Sequence, residues 1–191
     1  MQFDLSKHAT DEVLSTAPLG KKVFAEFISQ TPSATAPMLV FLNFRGVSTA
    51  TTSFLREAVV TFRAYAREHL TDIYPVPVNL VADVKEELGL YLRDRGDAMA
   101  ICELDNEGQA SGAEVIGQLD GKLLSTLKAV VAIGETDATT LAQRFAHEDN
   151  VGTTTWNNRL ATLASKGLLV ETSHGRAKRY RAVLEGLAYG R

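Results

Sequence analysis

With one cysteine in 191 residues, the chain cannot close a disulfide on itself. Cys102 sits among Met99, Ala100, Ile101 and Leu104, with no neighbouring cation to stabilise a thiolate, so a buried, inert strand thiol is expected. Long apolar runs are also missing. The longest, Met38 to Phe44, is strand-sized, and no membrane span is predicted. The opening Met-Gln-Phe-Asp-Leu has neither the basic nor the apolar region of a secretory signal. Together these absences predict a protein of the bacterial or archaeal cytoplasm. The four histidines (His8, His69, His147 and His174) are isolated, and His147-Glu-Asp149 lacks the paired spacing of a zinc helix. No Gly-Lys-Ser/Thr follows a strand, and no serine stands in a nucleophile elbow. Asp94-Arg-Gly-Asp97 reads as a helix-ending turn with local ion pairs rather than a carboxylate dyad. Neither an enzyme, a metal site nor a cofactor is expected.

What the chain does contain is two halves of opposite charge. Residues 1–121 carry ten Lys/Arg against seventeen Asp/Glu, a net of −7, whereas residues 122–191 carry ten against six, a net of +4. A basic end on an acidic body is the asymmetry of a nucleic-acid-binding module joined to something else.

The basic end has a legible order. Leu123, Leu124, Leu127 and Val131 recur at helical spacing. Asp137 caps a second helix through Ala146, with Leu141, Ala142 and Phe145 facing inward. A third runs from Thr153 to Lys166, and its Trp156, Leu160 and Leu163 share one face, which turns Thr154, Thr155, Asn158 and Thr162 outward. Gly167 stands where a left-handed residue ends a helix. Leu168–Thr172 and Lys178–Val183 then read as a hairpin around Gly175, with Arg176, Lys178, Arg179 and Arg181 within six residues.

Val151, Trp156, Leu160, Leu163, Lys166-Gly-Leu-Leu169 and the turn at Gly175 resemble the winged-helix regulators of the MarR and ArsR type. The resemblance covers roughly the final third of the chain. It implies that the helix from Thr153 enters the major groove of duplex DNA while the hairpin rides a phosphate backbone. Thr153, Thr154, Thr155, Asn157, Asn158 and Arg159 would then probe base edges, and Arg176, Lys178, Arg179 and Arg181 would hold phosphates. The bland alternative is a solvated edge strand defended by charge. A single small module covers little DNA, so a homodimer is expected.

Residues 1–119 alternate strand-like with helix-like segments, the pattern of an α/β domain. Strands are expected at Phe3–Leu5, Met38–Phe44, Pro75–Leu80 and Met99–Leu104, with Glu114–Leu119 returning as the second strand of a hairpin. Pro75 and Pro77 suggest that their strand lies at an edge or a strand entrance. Helices are expected around Leu19–Ile28, Ala50–His69 and Val84–Leu92. A boundary is expected within Asp105–Asp120, dividing a domain of residues 1–119 from one of residues 120–191.

Leu42-Asn-Phe-Arg-Gly-Val47, followed by the hydroxyl-rich Ser48–Leu55, is similar to the small bacterial STAS-like domains related to anti-sigma-factor antagonists. Aligned on Gly46, Val47 and Leu55, Thr51 falls at that family's Asp, Thr52 at its phosphorylated Ser, Ser53 at the next Ser and Phe54 at its Gly. Only the hydroxyls match. Ser48, Thr51, Thr52 and Ser53 therefore have two readings: helix caps alone, or a phosphorylated or docking switch. The whole reads as an α/β STAS-like domain followed by a winged helix-turn-helix, a DNA-binding transcriptional regulator. The alternative is a non-enzymatic adaptor whose STAS-like part docks on a GHKL-type kinase or ATPase and whose winged helix contacts protein.

Overall fold

The computed structural model describes residues 1–147, 151–175 and 177–189. The chain opens with β1 (Gln2–Asp4), a 3-10 turn (Leu5–His8) and β2 (Val13–Leu14). Next come α1 (Ala17–Gln30), β3 (Met38–Asn43), β4 (Thr49–Ala50) and α2 (Thr52–Leu55), then a π turn (Arg56–Val60) and α3 (Thr61–His69). β5 (Ile73–Val78), α4 (Ala82–Arg93), β6 (Ala98–Leu104) and β7 (Ala110–Gly117) complete the first part. There follow α5 (Gly121–Ile133), α6 (Ala138–Arg144), α7 (Thr153–Ser165), β8 (Leu169–His174), β9 (Ala177–Ala182) and β10 (Ala188–Tyr189). No helix among the described residues is long and apolar enough to cross a membrane.

The main sheet is mixed and mostly parallel, ordered β1-β3-β5-β6-β7-β10, with the β6–β7 hairpin as its antiparallel pair. From β1 to β6 the strands step across the sheet in one direction. Right-handed crossovers that all step the same way put every connecting helix on the same face. The core agrees. Val23 and Phe27 of α1, Phe54 and Leu55 of α2, Phe62 and Ala66 of α3, and Val84, Leu88 and Leu92 of α4 form one cluster with Val40, Leu42, Met99 and Ile101 of the strands.

That leaves the opposite face of the sheet bare of its own helices. Tyr74, Val76 and Val78 of β5, Ala98, Ala100, Cys102 and Leu104 of β6, and Val115 of β7 line it. They are covered by the rest of the chain, in one continuous cluster with Leu127, Val130, Leu141, Trp156, Leu160, Leu163 and Tyr180. The apolar core thus runs straight through the expected boundary at residue 119. β10 strengthens the connection by pairing parallel with β7 at Ala188↔Glu114 and Tyr189↔Val115, and Tyr189 Oη accepts the Leu119 amide at 3.3 Å. Cys102 is buried in this interior, as its apolar setting predicts, and burial with the charge of Glu103 pushes its thiol up to about 11.

One expectation fails. β5, with its two prolines, is neither an edge nor a strand entrance; it lies between β3 and β6 and is buried along its length. In a strand, alternate residues turn their backbone groups to opposite neighbours. Phe44 donates to Val78 O and Asn79 donates to Cys102 O, so even positions face β3 and odd positions face β6. Pro75 and Pro77 therefore turn their missing N–H groups toward β6. β5 keeps full register with β3, while its ladder with β6 shrinks to Val78↔Cys102. The expected helix over Ala50–His69 is also interrupted, by the π turn at Arg56–Val60. There α1 packs close: a Cβ on Gly20 would sit 2.8 Å from Glu57 Cβ and 2.9 Å from Phe54 O.

Candidate nucleic-acid interface

α7 is preceded by Gly152, which offers no side-chain cap, and followed, after Lys166, by Gly167 with φ +75°. Its apolar stripe of Trp156, Leu160 and Leu163 is buried as the spacing requires, and Phe145 stacks at 5.8 Å from Trp156. Thr153, Thr154, Asn157 and Asn158 are exposed and Thr155 is half-buried. Arg159 belongs to a different group. Three residues after Trp156 and one before Leu160, it turns inward, is 7% exposed, and holds its guanidinium 4.9 Å from the Trp156 ring centroid. It is a buried cation and no part of the outward face. The helix carries no acidic residue. Further along, Ala161 and Ser165 line a groove of about 620 Å³ opposite Pro37 and Asp72 of the first part of the chain. Ala161, Thr162 and Ser165 are exposed as well, so α7 presents an outer face along its whole length.

The hairpin is tighter than the sequence suggests. β8 and β9 stay in register as far as His174↔Ala177. Arg176, one of the expected phosphate contacts, lies outside the described residues. Tyr180 is the inward anchor. Its backbone exchanges two hydrogen bonds with Thr136, at 2.8 and 2.9 Å, and its phenol is pushed up by burial and by Glu171. The cations around it are exposed, but two of them have partners. Lys178 Nζ lies 2.7 Å from Glu171 Oε1 and Arg179 Nε lies 3.8 Å from Glu135 Oε1; Arg181 is exposed beside the groove along Val130 and Val131. Asp137 caps α6 as expected, and the Thr140 amide it accepts holds its carboxyl below the usual range.

What fastens α7 and the hairpin to the sheet lies in no local pattern of residues. Asp97 accepts from Arg63 Nη2 through one oxygen, and through the other from Lys166 Nζ at 2.9 Å and the Ala98 amide at 2.8 Å. Arg63, 6% exposed, also donates to Ala98 O at 2.8 Å. Burial pushes the Asp97 carboxyl up, yet Arg63, Lys166 and the amide together hold it below its ordinary value. Asp97 was expected to pair within its own turn; it pairs instead with α3 and with the residue that ends α7. A second fastening is Tyr74, whose hydroxyl accepts the Glu171 amide at 3.2 Å while Arg67 stacks 4.0 Å over its ring. These partners lie up to 97 residues apart, so no local spacing could pair them.

The hydroxyl-rich segment forms a separate crevice of about 470 Å³. Thr51 caps α2 by accepting the Phe54 amide at 3.4 Å and lies 3.1 Å from Ser53 Oγ. Thr52 donates its hydroxyl to Glu87 of α4, and Asp83 stands on the same wall. Ser48 is exposed and donates to Glu12 O at 3.3 Å. A phosphate on Thr52 would displace its bond to one carboxylate and face two. Of the two sequence readings, capping has a visible bond at Thr51.

No family model matches the sequence, and no curated protein is significantly similar to it. Among the described residues no group of three or more His, Cys, Asp or Glu side chains is placed to hold a metal ion.

Proposed function

We propose that this protein is a DNA-binding transcriptional regulator, with residues 120–191 acting as a winged helix-turn-helix. The observation that carries the reading is the exposed polar face of Thr153, Thr154, Asn157 and Asn158 on α7, a helix with no acidic residue of its own, in the same part of the chain as a cationic hairpin. Asn can bond both edge atoms of adenine, and hydroxyls reach phosphates or bases. Thr155 borders that surface; Lys178, Arg179 and Arg181 would meet the backbone. Residues 1–119, the STAS-like unit of this reading, would dimerise, bind a partner or sense a signal in the cytoplasm. A homodimer doubles a contact area that one module leaves too small for useful specificity.

The test is fluorescence anisotropy on the protein's own upstream promoter and on scrambled duplex, from about 50 to 200 mM salt. A dimer neutralising about six phosphates should lose roughly three decades of affinity over that range. Absence of binding to either duplex at the lowest salt would refute the reading. A protein-interaction adaptor is the second reading. It is favoured by the carboxylates already paired with Lys178 and Arg179, which lower the free positive charge of the hairpin. An adaptor would co-purify with a partner, such as a GHKL-type kinase or ATPase, and ignore DNA.

A further inference from the structure

The hairpin that would grip phosphate carries its own anions. Glu171 stands on β8 across from Tyr180, and Lys178, one diagonal step along β9, brings its ammonium to 2.7 Å from the carboxylate. The Glu171 carboxylate is only 26% exposed, and its backbone amide is bound to Tyr74 of the central strand, so the anion is carried on a tethered segment while the lysine is free to swing. Glu135, at the turn before α6, holds Arg179 in a looser pair.

We propose that Glu171, seconded by Glu135, competes with phosphate for the hairpin cations and thereby sets how weakly the protein holds DNA of arbitrary sequence. The inference rests on the DNA-binding reading above and adds a role for two acidic residues, that of limiting the sequence-independent part of the affinity. In free protein Lys178 is engaged by Glu171. To reach a backbone phosphate it must exchange one oxyanion for another, and the gain from a non-specific encounter shrinks by the strength of the pair. A sequence-matched site has the α7 contacts to offset that loss, whereas a random site does not. The carboxylates thus lower the affinity for every duplex alike, so that only a site with the α7 contacts is still held tightly.

The experiment measures anisotropy on scrambled duplex at about 50 mM salt for wild type, Glu171→Gln, Lys178→Ala and the double variant. Glu171→Gln is expected to bind about two- to fivefold tighter, the range an exposed ion pair spans, with a log–log salt slope steeper by about one. On the Lys178→Ala background the same change should bring little gain, because the cation it releases is gone. An equal gain on both backgrounds would assign the effect to overall charge and overturn the pairing mechanism, as would no gain on either. Glu135→Gln, at an exposed site on another element, should act in the same direction with smaller size; its failure together with that of Glu171→Gln sinks the proposal even if one variant is poorly folded. Should wild type fail to bind any duplex while its fold is intact by circular dichroism, the DNA-binding reading itself falls, an outcome distinct from wild-type binding that neither variant improves.

Discussion

Taking the charge from Asp97 would strand two cations at once. Arg63 is almost wholly buried, and its remaining bond to Ala98 O leaves the guanidinium without a counter-ion. Breaking a buried pair by removing one partner costs about 3 kcal/mol or somewhat more, so Asp97→Asn should lower the urea midpoint markedly at neutral pH. The pH dependence has a definite sign. Because the folded carboxyl titrates below its unfolded value of about 3.9, its contribution is present above that pH and is lost as pH falls through the lower folded value. The stability curve of Asp97→Asn should accordingly be flatter than wild type below about pH 4; parallel curves would mean the carboxylate is not what the ion cluster depends on. At Gly20 two effects oppose each other. Alanine is the better helix former by about 1 kcal/mol, but its Cβ would press on the carbonyl of Phe54, which has no room to yield. Overpacking of this kind costs about 1–3 kcal/mol, and a net loss on Gly20→Ala is expected in chemical denaturation. A gain would mean that the α1 crossing is looser than its geometry implies.

At the scale of elements, the proposed DNA binding divides the work between α7 and the hairpin, and the division is measurable. Asn158→Ala should narrow the difference between promoter and scrambled duplex by about 1–3 kcal/mol, whereas Arg179→Ala should weaken both alike and reduce the salt slope by about one. If both variants bind like wild type, the interface lies elsewhere. These elements were legible because their signals are local: Asp137 before α6, Trp156, Leu160 and Leu163 along α7, Gly167 after it. Arg159 was not, since its position on the helix left its direction open; in the fold it lies inward beside Trp156. β5 misled for a related reason. Its prolines carry a true statement about one side of the strand, the side toward β6, and sequence does not say which neighbour each side will meet. Glu171 escaped notice because a carboxylate diagonal to a cation on a hairpin depends on register, and Glu135 because it reaches Arg179 from the turn before α6.

For the whole molecule, the alternation of strands and helices announced an α/β sheet, but not that one face would be left for residues 120–189 to cover. That face follows from strand order, and strand order is set by long-range pairing. A chain ending at residue 119 should therefore expose Tyr74, Val76 and Val78, bind a hydrophobic dye and aggregate, while the full chain should melt in one transition. A truncated chain that stays monomeric and dye-free would show that the first part closes its own core. The two-residue strand β10 has a consequence in time. It joins the sheet next to a strand made some seventy residues earlier, and at roughly 5–20 residues per second of synthesis the unfinished protein waits several seconds with one side of its sheet bare. Expression of this chain should then depend on cellular holdases that shield nascent polypeptides, far more than its ordinary finished surface would suggest.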